Sequence, residues 1–510
     1  MATPLTGAFF IGSKRVQSAD RFYAVNPETS EKIEPGFSVS SEMDVEQACA
    51  LANSVFDRYR ATSAEERAQL LEAIAENVAA LGETAIPRAQ SETALPQARL
   101  TGELARTCNQ LRLFAGELRD GRWQGVRIDP AQPDRTPLPR PDLRLRKIPV
   151  GPVAVFGASN FPFAFSVAGG DTAAALAAGC PVVVKAHPAH PGASELVAGA
   201  IIEAVKACGL PDGVFSMIAG PSNALGAALV ANPHIKAVGF TGSRQGGLAL
   251  MEIAARRAEP IPVYAEMSSI NPVLLLPGAL DRRAEALAEA FLNSLTMGVG
   301  QFCTNPGLLI AVQGPGLERF IKAAAAGIVH KPAATMLTPG IFANYTSGIA
   351  RLRDDLHAQA VGAGPEGRGP NCGQAFLFSV SATDFLASPK WAQEVFGPSS
   401  VLVHCDNQQQ MQAVLEALEG QLTATLQIDD ADHALARNLL PILERKAGRI
   451  LANGWPTGVE VAHAMVHGGP FPATSDGRST SVGTLSIDRF LRPVCYQDLP
   501  SDLLPTVLRS

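Results

Sequence analysis

Short apolar runs that alternate with helical segments constrain the fold of this 510-residue chain more than any other feature. Between residues 147 and 265 the apolar runs lie at 153–156, 181–185, 214–218 and 235–240. Helical segments lie between them, at about 166–178 and 196–208. Strands that alternate with helices of this length indicate βαβ units and a parallel sheet. Ligands of such sheets bind at the carboxyl ends of the strands.

A second α/β domain is predicted between residues 272 and 465, where the alternation returns. Its predicted elements are strands at 272–276, 308–312 and 400–404 and a helix near 283–297. Residues 43–118 read as helical, and Ser63 followed by Glu66 is typical of a helix N-terminus. The proline-rich residues 128–142 predict an edge ribbon or linker, and residues 484–490 have strand character.

The composition excludes several classes of protein. A net charge of −6 with 18 % charged residues gives no basic surface for nucleic acid or for an anionic membrane. Eight scattered cysteines contain no CxxC pair, which predicts free thiols in a reducing compartment. We expect no secretory signal at residues 1–6 and no membrane span, because no apolar stretch is long enough. The expected location is therefore cytoplasmic.

Three side chains together offer a nucleophile, a general base and an oxyanion donor, which are the groups needed to attack a carbonyl. Cys303 lies in a glycine-containing loop before an apolar strand, although a free cysteine is more often a buried small hydrophobe. Glu266 ends an apolar strand; a dry site would raise its pKa and suit a general base, and a helix cap or surface carboxylate is the alternative. Asn160 follows a strand end and offers an oxyanion donor, although asparagine is commoner in turns.

Two further strand ends carry groups that suit a nucleotide. Lys185 ends the second apolar run, where it would reach a ribose or phosphate unless it is simply solvated. Gly242 and Ser243 lie where a strand gives way to a helix, whose first backbone amides can bind pyrophosphate. The segment is not the GxGxxG dinucleotide fingerprint, and on its own it is a weak signal.

In combination these segments resemble the NAD(P)-dependent aldehyde dehydrogenase superfamily over about residues 20–495. The matching segments, each given with the family pattern, are 159–162 (S-N-F-P for W-N-F-P), 184–186 (V-K-A for V-K-P), 240–243 (F-T-G-S), 266–272 (E-M-S-S-I-N-P for E-L-G-G-K-N-P), 300–304 (G-Q-F-C-T for G-Q-x-C-T) and 394–398 (E-V-F-G-P for E-x-F-G-P).

The resemblance implies an α/β fold of two Rossmann-like α/β domains plus a small β oligomerisation ribbon. Residues 1–128 and 147–264 would bind the dinucleotide, and residues 265–465 would form the catalytic domain with the thiol. Residues 129–146 and 484–510 would form oligomerisation or bridging strands, so the expected assembly is a homodimer or homotetramer.

The resemblance also implies roles for the reactive groups. Cys303 would form a thiohemiacetal and then a thioester with an aldehyde substrate. Asn160 and the backbone N–H of Cys303 would hold the oxyanion, and Glu266 would activate the water that releases the acid.

For the cofactor, the resemblance assigns Lys185 to the adenine ribose, Gly242 and Ser243 to the pyrophosphate, and Glu394 with Phe396 to the nicotinamide side. Members that prefer NAD commonly carry an acidic residue three positions after the lysine, and here that position is Pro188. Without a carboxylate to repel a 2′-phosphate, NADP is the expected cofactor, with NAD tolerated. No metal is expected.

Segments 185–191, 267–270 and 469–476 resemble the branch that contains α-ketoglutarate semialdehyde (2,5-dioxopentanoate) dehydrogenases. Such a substrate carries a carboxylate, which an arginine would bind. Arg106 is the candidate, with Phe163 beside the substrate, and a surface salt bridge is the alternative for Arg106.

Other functions remain open at this stage. A medium- or long-chain aliphatic aldehyde is an alternative substrate, and a non-catalytic protein with this fold is a remote alternative. An acylating enzyme that uses coenzyme A would need no water-activating Glu266. A cofactor-independent cysteine hydrolase needs a histidine partner, and none of the nine histidines pairs obviously with Cys303.

Overall fold

The computed structural model describes residues 5–509, so residues 1–4 of the predicted signal-free N-terminus and residue 510 of the predicted C-terminal strands lie outside it. Its α-helices are α1 Glu42–Arg60, α2 Ala64–Ala80, α3 Gly82–Thr93, α4 Gln97–Asp120, α5 Gly170–Ala178, α6 Pro191–Ala207, α7 Asn223–Ala231, α8 Arg244–Ala255, α9 Pro277–Thr296, α10 Pro315–Ile328, α11 Pro339–Arg353, α12 Ala382–Ala387, α13 Gln408–Ala417 and α14 His433–Lys446.

The strands are β1 Phe9–Ile11, β2 Lys14–Val16, β3 Arg21–Val25, β4 Lys32–Ser38, β5 Arg127–Asp129, β6 Leu143–Pro149, β7 Val153–Phe156, β8 Val182–Lys185, β9 Phe215–Ile218, β10 Ala237–Thr241, β11 Val263–Glu266, β12 Pro272–Leu275, β13 Leu308–Val312, β14 Ala334–Thr335, β15 Gln359–Ala363, β16 Cys372–Gly373, β17 Phe376–Ser381, β18 Ser399–Cys405, β19 Gln421–Gln427, β20 Ala447–Ala452 and β21 Leu491–Gln497.

The first sheet has the order β11-β10-β7-β8-β9-β1-β2, with its first five strands parallel and β1 and β2 antiparallel. The strands β7 to β9 run outward in chain order, whereas β10 and β11 return to the other side of β7. The strand order therefore reverses between β7 and β10, which is the crevice where sheets of this kind bind ligands.

The second sheet has the order β15-β17-β18-β13-β12-β19-β20 and is parallel except for β15. Its central strand β13 reads Leu-Leu-Ile-Ala-Val, and four of its five residues are buried. Such continuous apolar strands are typical of parallel sheets that helices cover on both faces. The two sheets confirm the expected mixed α/β architecture.

The predicted helical region at 43–118 is confirmed as α1 to α4. The helix α2 begins with a capping box in which Ser63 accepts from the Glu66 N–H while the Glu66 carboxylate accepts from the Ser63 N–H. The helices α2 and α4 pack on each other and, with α5 and α6, contribute to the main apolar core. None of the helices in residues 5–509 combines the length and apolar character that a membrane crossing requires.

A third, antiparallel sheet joins β5, β6 and β21 in the order β21-β6-β5. The prediction of strand for 484–490 is wrong, because Thr484–Phe490 is a 3-10 helix and β21 begins only at Leu491. Thr484, Ile487 and Phe490 are buried at a spacing of three residues, as the three-residue turn of a 3-10 helix requires.

Candidate active site

Cys303 is presented by a tight loop that precedes β13. Gly300 has φ +64°, and a Cβ there would lie 2.4 Å from the Gly397 carbonyl carbon, so only glycine fits this approach. The Asn271 side chain donates from Nδ2 to the backbone oxygens of Cys303 at 2.8 Å and Asn305 at 2.9 Å. These contacts hold the backbone of the loop in place on both sides of Thr304, and Cys303 itself is half-buried.

Glu266 is the last residue of β11 and lies in a buried cluster with the thiol. Its Oε1 lies 2.9 Å from Nε2 of His467, and its Oε2 accepts a hydrogen bond from Ser481 Oγ at 2.8 Å. The same Nε2 lies 3.3 Å from Sγ of Cys303. Glu266 and His467 are only 3 % and 1 % exposed, so solvent does not screen this cluster.

The sequence interpretation that no histidine pairs with Cys303 is therefore wrong. His467 lies in an irregular segment between β20 and β21, far along the chain from the thiol. Its N–H donates to Thr480 Oγ1 at 2.8 Å, and its carbonyl accepts from the Ser481 N–H at 2.8 Å. The only local signal was its position just before the glycine- and proline-containing segment 468–472.

The protonation of the cluster differs from the sequence expectation for Glu266. Burial acts to raise the pKa of Glu266, but the neighbouring His467 and Ser481 stabilise the carboxylate, so its pKa lies below the usual value. Burial, together with the charge of Glu266, raises the pKa of Cys303 well above its usual range. The resting site thus holds a thiol beside a carboxylate, and that carboxylate is placed to accept the thiol proton.

Asn160 lies in the turn after β7 and is 7 % exposed. Its Nδ2 donates to the carbonyl of Gln301 at 3.0 Å, two residues before the thiol. Its own carbonyl accepts from the Arg99 guanidinium at 2.6 Å. The Cys303 N–H donates to no group within residues 5–509, which leaves it available to an oxyanion.

Lys185 and the start of α8 lie at the carboxyl ends of β8 and β10, on the side of the ligand crevice. The half-buried Lys185 ammonium has no hydrogen-bond or ion-pair partner in the described part of the chain, and burial lowers its pKa to about 8. Gly242 and Ser243 are exposed, and Ser243 Oγ caps α8 by accepting from the Gly246 N–H at 3.1 Å. An unpartnered cation and an accessible helix N-terminus fit the hydroxyls and phosphates of a dinucleotide.

Glu394 and Phe396 line a cleft together with Gly300 and Phe302 of the thiol loop. Burial raises the pKa of Glu394 to about 8, while a hydrogen bond from the Ser269 backbone acts in the opposite direction. Both predicted nicotinamide-side residues therefore lie beside the Cys303 loop.

Arg106 lies on α4, whose residues at positions 99, 103 and 106 share one helix face. Its Nε donates to the Val459 carbonyl at 3.3 Å and its guanidinium lies over Phe165 at 5.2 Å. Both terminal nitrogens are buried without a hydrogen-bond partner among the described residues, and the guanidinium charge interacts most strongly with Glu103, followed by Cys303, Glu460 and Glu266. The guanidinium is thus not a surface salt bridge.

The structure does not bring Phe163 to the thiol. Its side chain is 1 % exposed and belongs to the main core, while its N–H donates to the Glu103 carboxylate at 2.8 Å. Phe165, rather than Phe163, lies beside the reactive groups, since its ring contacts both Arg106 and His467. Phe163 therefore supports the loop rather than the substrate.

The chain is similar to known proteins over nearly its full length. Residues 15–480 match the model of the aldehyde dehydrogenase family. The chain is 58 % identical to alpha-ketoglutaric semialdehyde dehydrogenase 2 of Azospirillum brasilense, covering 99 % of this chain and 97 % of that protein. It is 48 % identical to alpha-ketoglutaric semialdehyde dehydrogenase of Acinetobacter baylyi, covering 99 % and 96 %. The solved aldehyde dehydrogenase KauB from Pseudomonas aeruginosa has the same fold, with a TM-score of 0.83 at 20 % identity over 97 % of each chain.

Proposed function

We propose that this chain, which belongs to the aldehyde dehydrogenase family, oxidises α-ketoglutaric semialdehyde to its dicarboxylic acid with NADP or NAD. Two relatives of nearly full coverage carry that aldehyde in their names. The observation that carries the proposal is the buried cluster in which Nε2 of His467 lies 3.3 Å from the Cys303 thiol and 2.9 Å from the Glu266 carboxylate. The two terminal nitrogens of Arg106 lack a hydrogen-bond partner among the described residues, and the guanidinium charge also interacts with Cys303 and Glu266.

The chain's own residues would supply the nucleophile, the base and the oxyanion donors. Cys303 passes its proton to Glu266 as the sulfur bonds to the aldehyde carbon, and the oxyanion receives hydrogen bonds from Asn160 and the Cys303 N–H. When bound, the nicotinamide supplies the hydride acceptor, and loss of hydride leaves a thioester on the sulfur. After Glu266 has released its proton to solvent, it takes a proton from the water that attacks the thioester.

The substrate is tested with a panel of aldehydes assayed for kcat/KM. We expect α-ketoglutaric semialdehyde to exceed succinic semialdehyde, glutaric semialdehyde and a fatty aldehyde, with release of free acid in the absence of coenzyme A. A higher kcat/KM for the fatty aldehyde would contradict the proposed substrate. A requirement for coenzyme A would contradict the hydrolytic mechanism.

NADP use with NAD tolerated is proposed from the residues around Lys185. The loop that follows it carries Pro188 where an acidic residue would repel a 2′-phosphate, and burial holds the Lys185 pKa at about 8. Initial rates with the two cofactors at equal concentration measure the preference. A strong preference for NAD would contradict it.

We also propose which part of the chain binds the cofactor, which carries the thiol and which joins the subunits. Residues 1–128 and 147–264 would bind the dinucleotide, residues 265–465 would carry the thiol, and the antiparallel strands at 129–146 and in 484–510 would join copies of the chain into a homodimer or homotetramer. The edge strand β21, with its partly exposed side chains, supports this role. Light scattering on a size-exclusion column measures the mass, and a monomer would contradict the assembly.

A further inference from the structure

The cluster around Cys303 contains three atoms that bind transition metals. They are Sγ of Cys303, Nε2 of His467 and a carboxylate oxygen of Glu266, all within 4.8 Å of one another. Nε2 lies 3.3 Å from the sulfur and 2.9 Å from Oε1 of Glu266. In a tetrahedral zinc site, with bonds of about 2.3 Å to sulfur and about 2.0 Å to nitrogen and oxygen, ligand atoms lie roughly 3.3–3.6 Å apart. The two distances from Nε2 thus lie within about half an ångström of these values, and the separation of Sγ from the Glu266 oxygen, at most 4.8 Å, would have to close by at most about 1.3 Å.

We propose that Cys303, His467 and Glu266 bind a zinc ion reversibly and that the bound ion inhibits the enzyme. A thiolate and a carboxylate cancel the double charge of the ion, which reduces the cost of placing it in a buried site. Sulfur and imidazole donors favour zinc over magnesium and calcium, which prefer oxygen ligands. Three protein ligands leave the fourth position to water.

The surroundings of the three ligands indicate reversible rather than permanent binding. Ser481 donates to the second oxygen of Glu266 at 2.8 Å, which orients the carboxylate. His467 Nδ1, however, is buried with no hydrogen-bond partner among residues 5–509. A metal-binding histidine usually donates this second N–H to an oxygen, and its absence weakens the site. The affinity should therefore lie below that of a structural zinc centre.

Inhibition follows from which electron pairs the ion uses. A zinc–sulfur bond takes the pair with which Cys303 attacks an aldehyde, and a zinc–oxygen bond takes the pair with which Glu266 accepts a proton. The inhibition rests on the proposed function, whereas the binding does not. The two are therefore measured separately.

Binding is measured on the full chain after treatment with EDTA and removal of the chelator. Calorimetry with ZnCl₂ should give one ion per chain, and CoCl₂ should give a sulfur-to-cobalt charge-transfer absorption band. Iodoacetamide labelling followed by mass spectrometry should show that zinc protects Cys303. Cys495 is exposed and serves as the internal control, because zinc should leave its labelling unchanged.

Variants assign the ion to the cluster. Cys303→Ser should abolish the charge-transfer band, and His467→Gln should lower zinc affinity by at least about tenfold. His357→Ala is the matched control, since His357 faces Asp384 on the surface, and it should leave zinc affinity unchanged. Circular dichroism confirms that each variant folds.

Equal zinc affinity in the wild-type chain, Cys303→Ser and His467→Gln would overturn the proposal, as would unprotected labelling of Cys303. Zinc should also reduce aldehyde oxidation, and EDTA should restore it; zinc-independent activity would overturn the inhibition. If no aldehyde is oxidised while zinc still protects Cys303, the proposed function fails and the zinc site stands.

Discussion

Arg106→Met tests whether the buried guanidinium binds the carboxylate of the substrate. Its two terminal nitrogens are buried and lack a hydrogen-bond partner within residues 5–509, so a carboxylate would receive two charge-assisted hydrogen bonds from one rigid fork. A hydrogen bond to a charged group contributes about 1.5–3 kcal/mol, and two bonds from one group are not additive. A loss of about 3 kcal/mol corresponds to about 10²-fold in kcat/KM, which we expect for α-ketoglutaric semialdehyde. Methionine preserves the packing of the side chain against Phe165.

The comparison with a second aldehyde isolates this contact. An unbranched aliphatic aldehyde has no carboxylate, so its kcat/KM should fall far less in Arg106→Met. Arg106→Lys keeps the charge without the fork and should lie between wild type and Arg106→Met. Arg112→Ala, at an exposed position of the same helix, is the matched control and should change neither substrate. An equal loss for both aldehydes would refute the carboxylate contact, because it would indicate general damage to the site.

Four further predictions concern the cluster and the cofactor side. Glu266→Gln should slow both the first formation of NADPH and steady-state turnover, because the acceptor of the thiol proton and the base that activates water are lost together; unchanged steady-state turnover would exclude Glu266 as the base. Asn160→Ala should lower kcat by about 10²–10³, measured with saturating aldehyde, because one oxyanion donor is lost. Ser481→Ala removes a donor that keeps the pKa of Glu266 low, so the acidic limb of kcat/KM, measured with EDTA present, should move to higher pH. In the described part of the chain the Ser475 hydroxyl bonds only the β11 backbone, so Ser475→Ala should leave that limb in place, and an identical shift in both variants would refute the assignment. The cofactor KM should rise as pH increases through about 8, where Lys185 loses its proton, and Lys185→Met should remove this dependence; its persistence in the variant would assign it elsewhere.

The strands could be predicted from sequence because parallel strands buried on both faces read as continuous apolar runs. The predicted runs at 153–156 and 308–312 coincide with β7 and β13. Helix starts were predicted less accurately: α6 begins at Pro191, before the predicted 196, because proline is favoured in the first helical turn. In 484–490, the apolar residues Leu485 and Ile487 alternate as in a strand, but Leu485 is 57 % exposed and the segment winds as a 3-10 helix.

The site residues next to strands could likewise be predicted from the sequence, whereas His467 could not. Asn160 follows β7, Glu266 ends β11 and the loop of Cys303 precedes β13, and the apolar pattern reveals the positions of these strands. His467 lies in a segment without helix or strand, so no periodic pattern of apolar residues indicates which way its side chain points. Long-range hydrogen bonds place it, among them its contact with Glu266, 201 residues away in the sequence. The pKa of Glu266 was mispredicted for the same reason, since its donors come from this distant segment.

The pKa values of Cys303 and Glu266 are shifted in opposite directions, and these directions decide how the nucleophile is activated. Because Cys303 has a raised pKa and Glu266 a lowered one, transfer of the thiol proton to the carboxylate is uphill in the resting site. A free thiolate is therefore scarce until an aldehyde is present to receive the electron pair. As the sulfur attacks, the negative charge moves to the aldehyde oxygen, where Asn160 and the Cys303 N–H can stabilise it. The same charge arrangement that disfavours a bare thiolate thus favours proton transfer that is coupled to carbon–sulfur bond formation.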